Sequence, residues 1–362
     1  MYISRYIAIF LVMILLISCN QQSSIQNATG YIIGDAYSQY LDGNIRSFDI
    51  INDSLFVASE DYGVVIYRIV KEEHGIYLDF LSSTNVVGIP VTLDIAPKSR
   101  SLIILDDYNH TYIGKLDFFG TNSYLSAVDC DDYQRKSTFL DYEDKPIELI
   151  TPFRHKPTQN EVDSLAWNTS FIHRIKFSEL EYSFNDYSGD CSDTLYKYLN
   201  YDIEDIFYSN EKLYLANPEN DKYSVVILNH DINADSFSPL DTIVLAGKPV
   251  SIKGDEELIF IGLNDKKGCY IKLLDSDSLN YSNFSIASGY NIQDIELSNN
   301  YIALSAGYGG SLIFDWDNSE DIFPELRFLL GGGIYSYKTM MYDDMNMIVG
   351  TKNGLHIYEI ER

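Results

Sequence analysis

Seven short polar side chains recur at matching places along this 362-residue chain: Ser47, Thr92, Glu148, Asp205, Ser251, Asp294 and Ser336. Each stands third in a stretch opened by Pro or Ile: "IRSFDI", "PVTLDI", "PIELIT", "IEDIFY", "PVSIKG", "IQDIEL" and "IYSYKT". Hydroxyls and carboxylates are hard oxygen donors. Gathered by a fold, the carboxylates Glu148, Asp205 and Asp294 would suit Ca²⁺ or Mg²⁺, or a small polar ligand. The competing reading is that small polar residues fit a crowded place and bond to backbone or water.

Other chemistry is thinner. The six histidines, His74, His110, His155, His173, His230 and His356, show no HxH, HExxH or helical i, i+4 spacing. There is no GxSxG elbow. "GYGGS" (307–311) and "GGG" (331–333) lack the Lys of a phosphate loop and read as strand turns. The acidic runs "LDDYNH" (105–110), "DCDDY" (129–133) and "DSDS" (275–278) lack the DxDxDG spacing and read as solvated charge. No Cys/His spacing supports zinc. Cys130 and Cys191 both lie in acidic, loop-like stretches and can pair, whereas Cys269, in "CYIKLL", fits a core position. No catalytic residue emerges, and the pattern leans away from an enzyme. Tyrosine, 30 residues in all, is the one compositional oddity suited to binding. It is dense in "YSFNDYSGDCSDTLYKYLNY" (182–201), where Tyr182, Tyr187, Tyr196 and Tyr198 offer a surface for protein or carbohydrate. Filling of outer strands is the alternative.

The elements that would position these residues follow from self-similarity. The seven stretches start 42 to 57 residues apart. After each comes a second apolar run ("SLFVASE", "SLIILDD", "KLYLANP", "ELIFIGL", "YIALSAG", "NMIVGTK"), a Gly- or Asn-rich turn and a third run. A looser fourth run precedes the next unit. Four short strands per unit is the pattern of a β-propeller blade, with the first strand innermost. An all-β, seven-bladed propeller is expected, six or eight blades being the alternatives. The third unit is irregular: "DSLAWNT" (163–169) echoes "DSLFVAS", with loops inserted on either side. The seventh unit ends with its third strand, "GLHIYEI". "YIIGDAYSQYLDGNI", from Tyr31, has the look of the missing fourth. The N-terminal strand is therefore expected to complete the last blade and remove an exposed edge. On the third strands "GVVIYRI", "SVVILNH", "GSLIFDW" and "GLHIYEI", with "LFVAS", "LYLAN" and "MIVGT" before them, the chain resembles the LVIVD-repeat propellers. That family's closing Asp stands here only as Asp315. The resemblance implies an exported interaction or ligand-binding module and brings no catalytic residues with it.

Residues 1–18 read as a leader: Arg5, then the apolar run "YIAIFLVMILLI". Leu16-Ile17-Ser18-Cys19 resembles the lipobox of bacterial lipoproteins, which makes Cys19 the lipidated first mature residue. Residues 19–30 then form a polar tether, and 31–362 a single propeller domain. The expected location is the outer membrane, through a lipid anchor, on its periplasmic or cell-surface face. The net charge of −27 argues against nucleic acid or anionic headgroups as partners. The function this points to is a scaffold for a protein or carbohydrate partner. An outer-membrane assembly factor and a propeller enzyme with a central Ca²⁺ or Mg²⁺ are the alternatives; no other cofactor is implied.

Overall fold

The computed structural model describes residues 31–72, 75–84, 88–96, 101–108, 111–116, 126–128, 133–134, 138–140, 148–154, 169–176, 193–199, 203–216, 222–232, 236–255, 257–273, 283–298, 300–316, 324–331 and 335–361. They form antiparallel strands gathered into seven sheets, six of them four-stranded and the third five-stranded. The first sheet runs Ile45–Ile51, Ser54–Ser59, Gly63–Glu72, Gly75–Thr84 from inside outward, a simple meander. The second, fourth, fifth and sixth repeat it from inner strands Pro90–Ala96, Ile206–Ser209, Pro249–Gly254 and Asp294–Ser298. From the third sheet round to the second, successive inner strands pack beside one another, Ser336–Met341 of the seventh sheet meeting Ile45–Ile51 of the first. This is the propeller arrangement the repeat called for.

The second strands of the first, fourth, fifth and sixth sheets are apolar on both faces because both faces are buried against neighbouring sheets, whereas outer strands such as Ser236–Val244 are largely exposed. Leu55 and Val57 pack with Ile348 and Ile357 of the seventh sheet. Their alternating neighbours Phe56 and Ala58 pack with Leu93, Ile95 and Ile104 of the second. The same alternation places Ile302 and Leu304 against the fifth sheet, and Tyr301 and Ala303 against the seventh. Cys269 is a buried free thiol in the fifth–sixth interface, as its pattern suggested.

The seventh sheet has the order Tyr31–Leu41, Gly354–Glu361, Asn346–Thr351, Ser336–Met341. The N-terminal strand thus lies antiparallel on the C-terminal one, from Tyr31 opposite Glu361 to Leu41 opposite Leu355. The first and last described strands share one sheet, as expected from the missing fourth strand.

The third sheet departs from expectation. Glu148–Arg154 is its second strand, flanked by Thr169–Lys176 on one side and by the short strands Tyr133–Gln134 and Thr138–Leu140 on the other. Thr138–Leu140 is the strand beside the inner strand of the fourth sheet. Glu148 is therefore not on an inner strand. The repeat frame slipped there by one strand because two short pieces, not one apolar run, build the inner edge. Asp193–Leu199, which contains Tyr196 and Tyr198, is the outermost strand of this sheet, paired with Thr169–Lys176, and not an insertion beyond it.

Candidate functional site

Four of the inner strands carry an irregularity near their start. In the first sheet Ile45 faces Ser59 and Ser47 faces Ala58, so one extra residue bulges between them. The second and fifth sheets repeat this at Pro90/Thr92 and Pro249/Ser251, and the seventh at Ser336/Lys338. A bulge re-aims the side chains that follow it. It also sets the true column, which is Ser47, Thr92, Asp205, Ser251, Asp294 and Lys338. Ser336 is displaced from it. Its hydroxyl is fully buried and bonded to Ser311 Oγ and Thr339 Oγ1, both at 2.9 Å, between the sixth and seventh sheets. The third-position count fails there because Ser336 corresponds to Ile45, two places before Lys338.

Around the axis lies a cavity of about 620 Å³. Ser47, Thr92, Asp205, Asp294 and Lys338 line it, with Arg46, Glu204, Gln293 and Tyr337 one position earlier. Two positions further in stand Asp94, Lys253 and Glu296. This inner charged layer escaped the sequence reading. Its signal is the period of two in "SFD", "TLD", "SIK" and "DIE", which puts Asp49, Asp94, Lys253 and Glu296 on the side already marked by the column.

Two carboxylates hold the ring together. Asp205, buried, accepts its neighbour Ile206 N–H on Oδ1 at 2.8 Å and Ile252 N–H of the fifth sheet on Oδ2 at 2.7 Å. Asp49 accepts Ile50 N–H at 2.8 Å and reaches Ile95 N–H of the second sheet at 3.0 Å. Ser47 Oγ donates to Leu93 O at 3.2 Å, across the same gap. Three of the remaining charges meet one another, Lys338 Nζ lying 2.6 Å and Lys253 Nζ 3.8 Å from Glu296 Oε1, while Glu204 pairs with Lys248 and Arg46 with Glu60. Lys253 keeps 29 % of its side-chain surface, facing the cavity and not bulk water.

The field inside is negative. Burial pushes the Asp49 carboxyl up to about 7; Asp94 and Glu296 reinforce this, while Lys338 and Lys253 oppose it. Glu296 first, then Asp94, Asp294 and Asp49, hold Lys253 above its usual range against its burial. For Lys338 burial is the largest influence and pulls down, but Glu296, Asp294 and Asp49 together outweigh it. Both lysines stay charged.

The proposed Ca²⁺ or Mg²⁺ set is not assembled. Glu148 sits on a second strand, and Asp205 spends both oxygens on backbone N–H groups. Among the described residues no cluster of three His, Cys, Asp or Glu could hold a metal ion. His230 and His356 are buried and structural: His230 Nδ1 lies 2.8 Å from Tyr208 Oη and His356 Nε2 lies 3.1 Å from Thr351 Oγ1. Tyr182, Tyr187, Cys19, Cys130 and Cys191 lie outside the described residues, as do the leader and tether.

Through Arg46, Glu204, Gln293 and Tyr337 the cavity reaches one face of the ring. Inner strands begin there, and the turns between second and third strands are tied to those beginnings: Glu60 N–H donates to Asn44 O at 3.0 Å and Asp107 N–H to Ile89 O at 2.8 Å. Four of these turns carry an exposed tyrosine: Tyr62, Tyr108, Tyr223 and Tyr308, each 43 to 71 % exposed.

No protein-family model and no curated protein sequence matches this chain. By structure, 1270 solved chains do, so the architecture is a common one. One is Sqt1 of Saccharomyces cerevisiae, similar at TM-score 0.57 and 11 % identity over 90 % of this chain and 98 % of that one. The likeness establishes the fold class, a β-propeller, and nothing finer.

Proposed function

We propose that this chain is an exported, lipid-anchored propeller that works as a binding scaffold, with the axial face as its contact surface. One observation carries the reading. The cavity's charged groups are held by one another and by neighbouring backbone, in Lys338–Glu296, Asp205–Ile252 and Asp49–Ile95, which suits a preformed receptor. The leader ending in Leu16-Ile17-Ser18-Cys19 supports anchoring at the outer membrane, and the tether to residue 30 gives the ring reach.

The test is mild crosslinking of the full, lipidated chain in its own envelope, with wild type beside a Tyr62→Ala/Tyr108→Ala variant. A stoichiometric partner captured by wild type and lost from the variant is the expected result. If that partner is a membrane barrel, the assembly-factor form of the scaffold is the correct one. Capture of nothing by either, or of the same partner by both, overturns the axial-face reading.

A further inference from the structure

From the axial face we infer that this scaffold receives a basic segment of a partner protein, one cationic side chain entering the central cavity. The inference rests on the binding-scaffold reading and specifies its partner's chemistry.

Charge is the first ground. The cavity is lined by the acids Asp94, Glu204, Asp205, Asp294 and Glu296 against the bases Arg46, Lys253 and Lys338. The five acids exceed the three bases. An ammonium or guanidinium entering there finds carboxylates that its own charge would relieve.

The rim is the second ground. Over the first two sheets the turns read Glu60-Asp61-Tyr62 and Asp106-Asp107-Tyr108, an acid pair followed by an exposed ring. Asp106 is spent internally, accepting Tyr108 N–H at 2.9 Å and the Tyr112 hydroxyl at 3.1 Å, which fixes the turn that holds the Tyr108 ring outward. Tyrosine faces attract cations. The chain already uses this chemistry on the same face: Lys352 Nζ lies 4.3 Å from the Tyr335 ring centroid and 5.1 Å from that of Tyr308. Lys266 and Lys267, on the fifth sheet's turn, set direction, since a basic segment is repelled there and drawn over the first two sheets.

The experiment titrates a fluorescein-labelled tetra-arginine peptide against the purified full chain in detergent, read by anisotropy, with tetra-glutamate as the sign control. Three double variants accompany wild type. Asp94→Asn/Asp294→Asn neutralises the cavity, Tyr62→Ala/Tyr108→Ala strips the exposed rim, and Asp79→Asn/Glu325→Gln removes two charges from outer strands. Expected is saturable binding of tetra-arginine alone, weakened about tenfold or more by the first two variants and unchanged by the third. Because the rim tyrosines are exposed, that variant reads binding even if the cavity variant unfolds. Equal weakening by the outer-strand variant, or wild-type affinity in the rim variant, would overturn the proposal by tracing binding to overall charge. Absence of peptide binding while an envelope partner is still captured through the rim refutes only the basic-segment inference. Absence of both refutes the scaffold reading as well.

Discussion

Gly310 has φ of +84°, and a Cβ added there would stand 1.7 Å from the Leu330 carbonyl oxygen. No side chain fits, so the run "GYGGS" is a turn by necessity, as its lack of a following Lys suggested. Gly310→Ala should destabilise the protein by more than about 1 kcal/mol, visible as a lower urea midpoint. A midpoint equal to wild type would contradict the turn geometry. Asp49 is a different case, because its acidity comes from place and not type. With its carboxyl raised from 3.8 to about 7, the folded state holds a proton between those values that the unfolded state has lost. Stability from this group is therefore greatest below the unfolded value and falls as pH rises through that window, by up to about 1.4 kcal/mol per unit. Asp49→Asn should flatten the difference in urea stability between pH 5 and pH 7. An identical pH slope in the variant would show that Asp49 ionises normally. Five of the seven residues singled out from sequence, Ser47, Thr92, Asp205, Ser251 and Asp294, do occupy the axial column. Ser336 does not, because it matches Ile45 in the register and Lys338, two places on, matches Ser47.

At the scale of elements, neighbouring sheets share little backbone bonding, so side chains must tie one inner strand to the next. Asp205 does this between the fourth and fifth sheets. Asp205→Ala would leave Ile206 and Ile252 N–H groups without an acceptor, at about 1–3 kcal/mol for each buried donor stranded. A loss of at least 2 kcal/mol in chemical denaturation is expected, and a loss under about 0.5 kcal/mol would mean water replaces the clamp. Strand identity was legible because the second strands of the first, fourth, fifth and sixth sheets are apolar on both faces. The third sheet was less so: its inner edge is made of Tyr133–Gln134 and Thr138–Leu140, too short to leave an apolar period. Glu148 was consequently assigned to the wrong strand.

For the whole molecule, closure is the controlling feature. Deleting residues 31–41 removes the outer strand of the seventh sheet and bares the Gly354–Glu361 edge. The melting temperature should fall by about 5 °C or more, with association of the opened chains. A truncated chain that melts and sediments like wild type would refute closure through the terminal strand.

Read alone, the sequence determined the all-β class, the repeated four-strand unit and the pairing of chain ends. These are recorded in apolar runs that recur along the chain, a one-dimensional signal that needs no knowledge of what lies opposite. Only the tertiary structure decided which polar residues meet at the axis and what charge they bear. A bulge of one residue exchanges the face a side chain presents, as at Ser336 and Lys338. The proton on Asp49 and the charges on Lys253 and Lys338 depend on burial beside residues far off in the chain, which composition does not record.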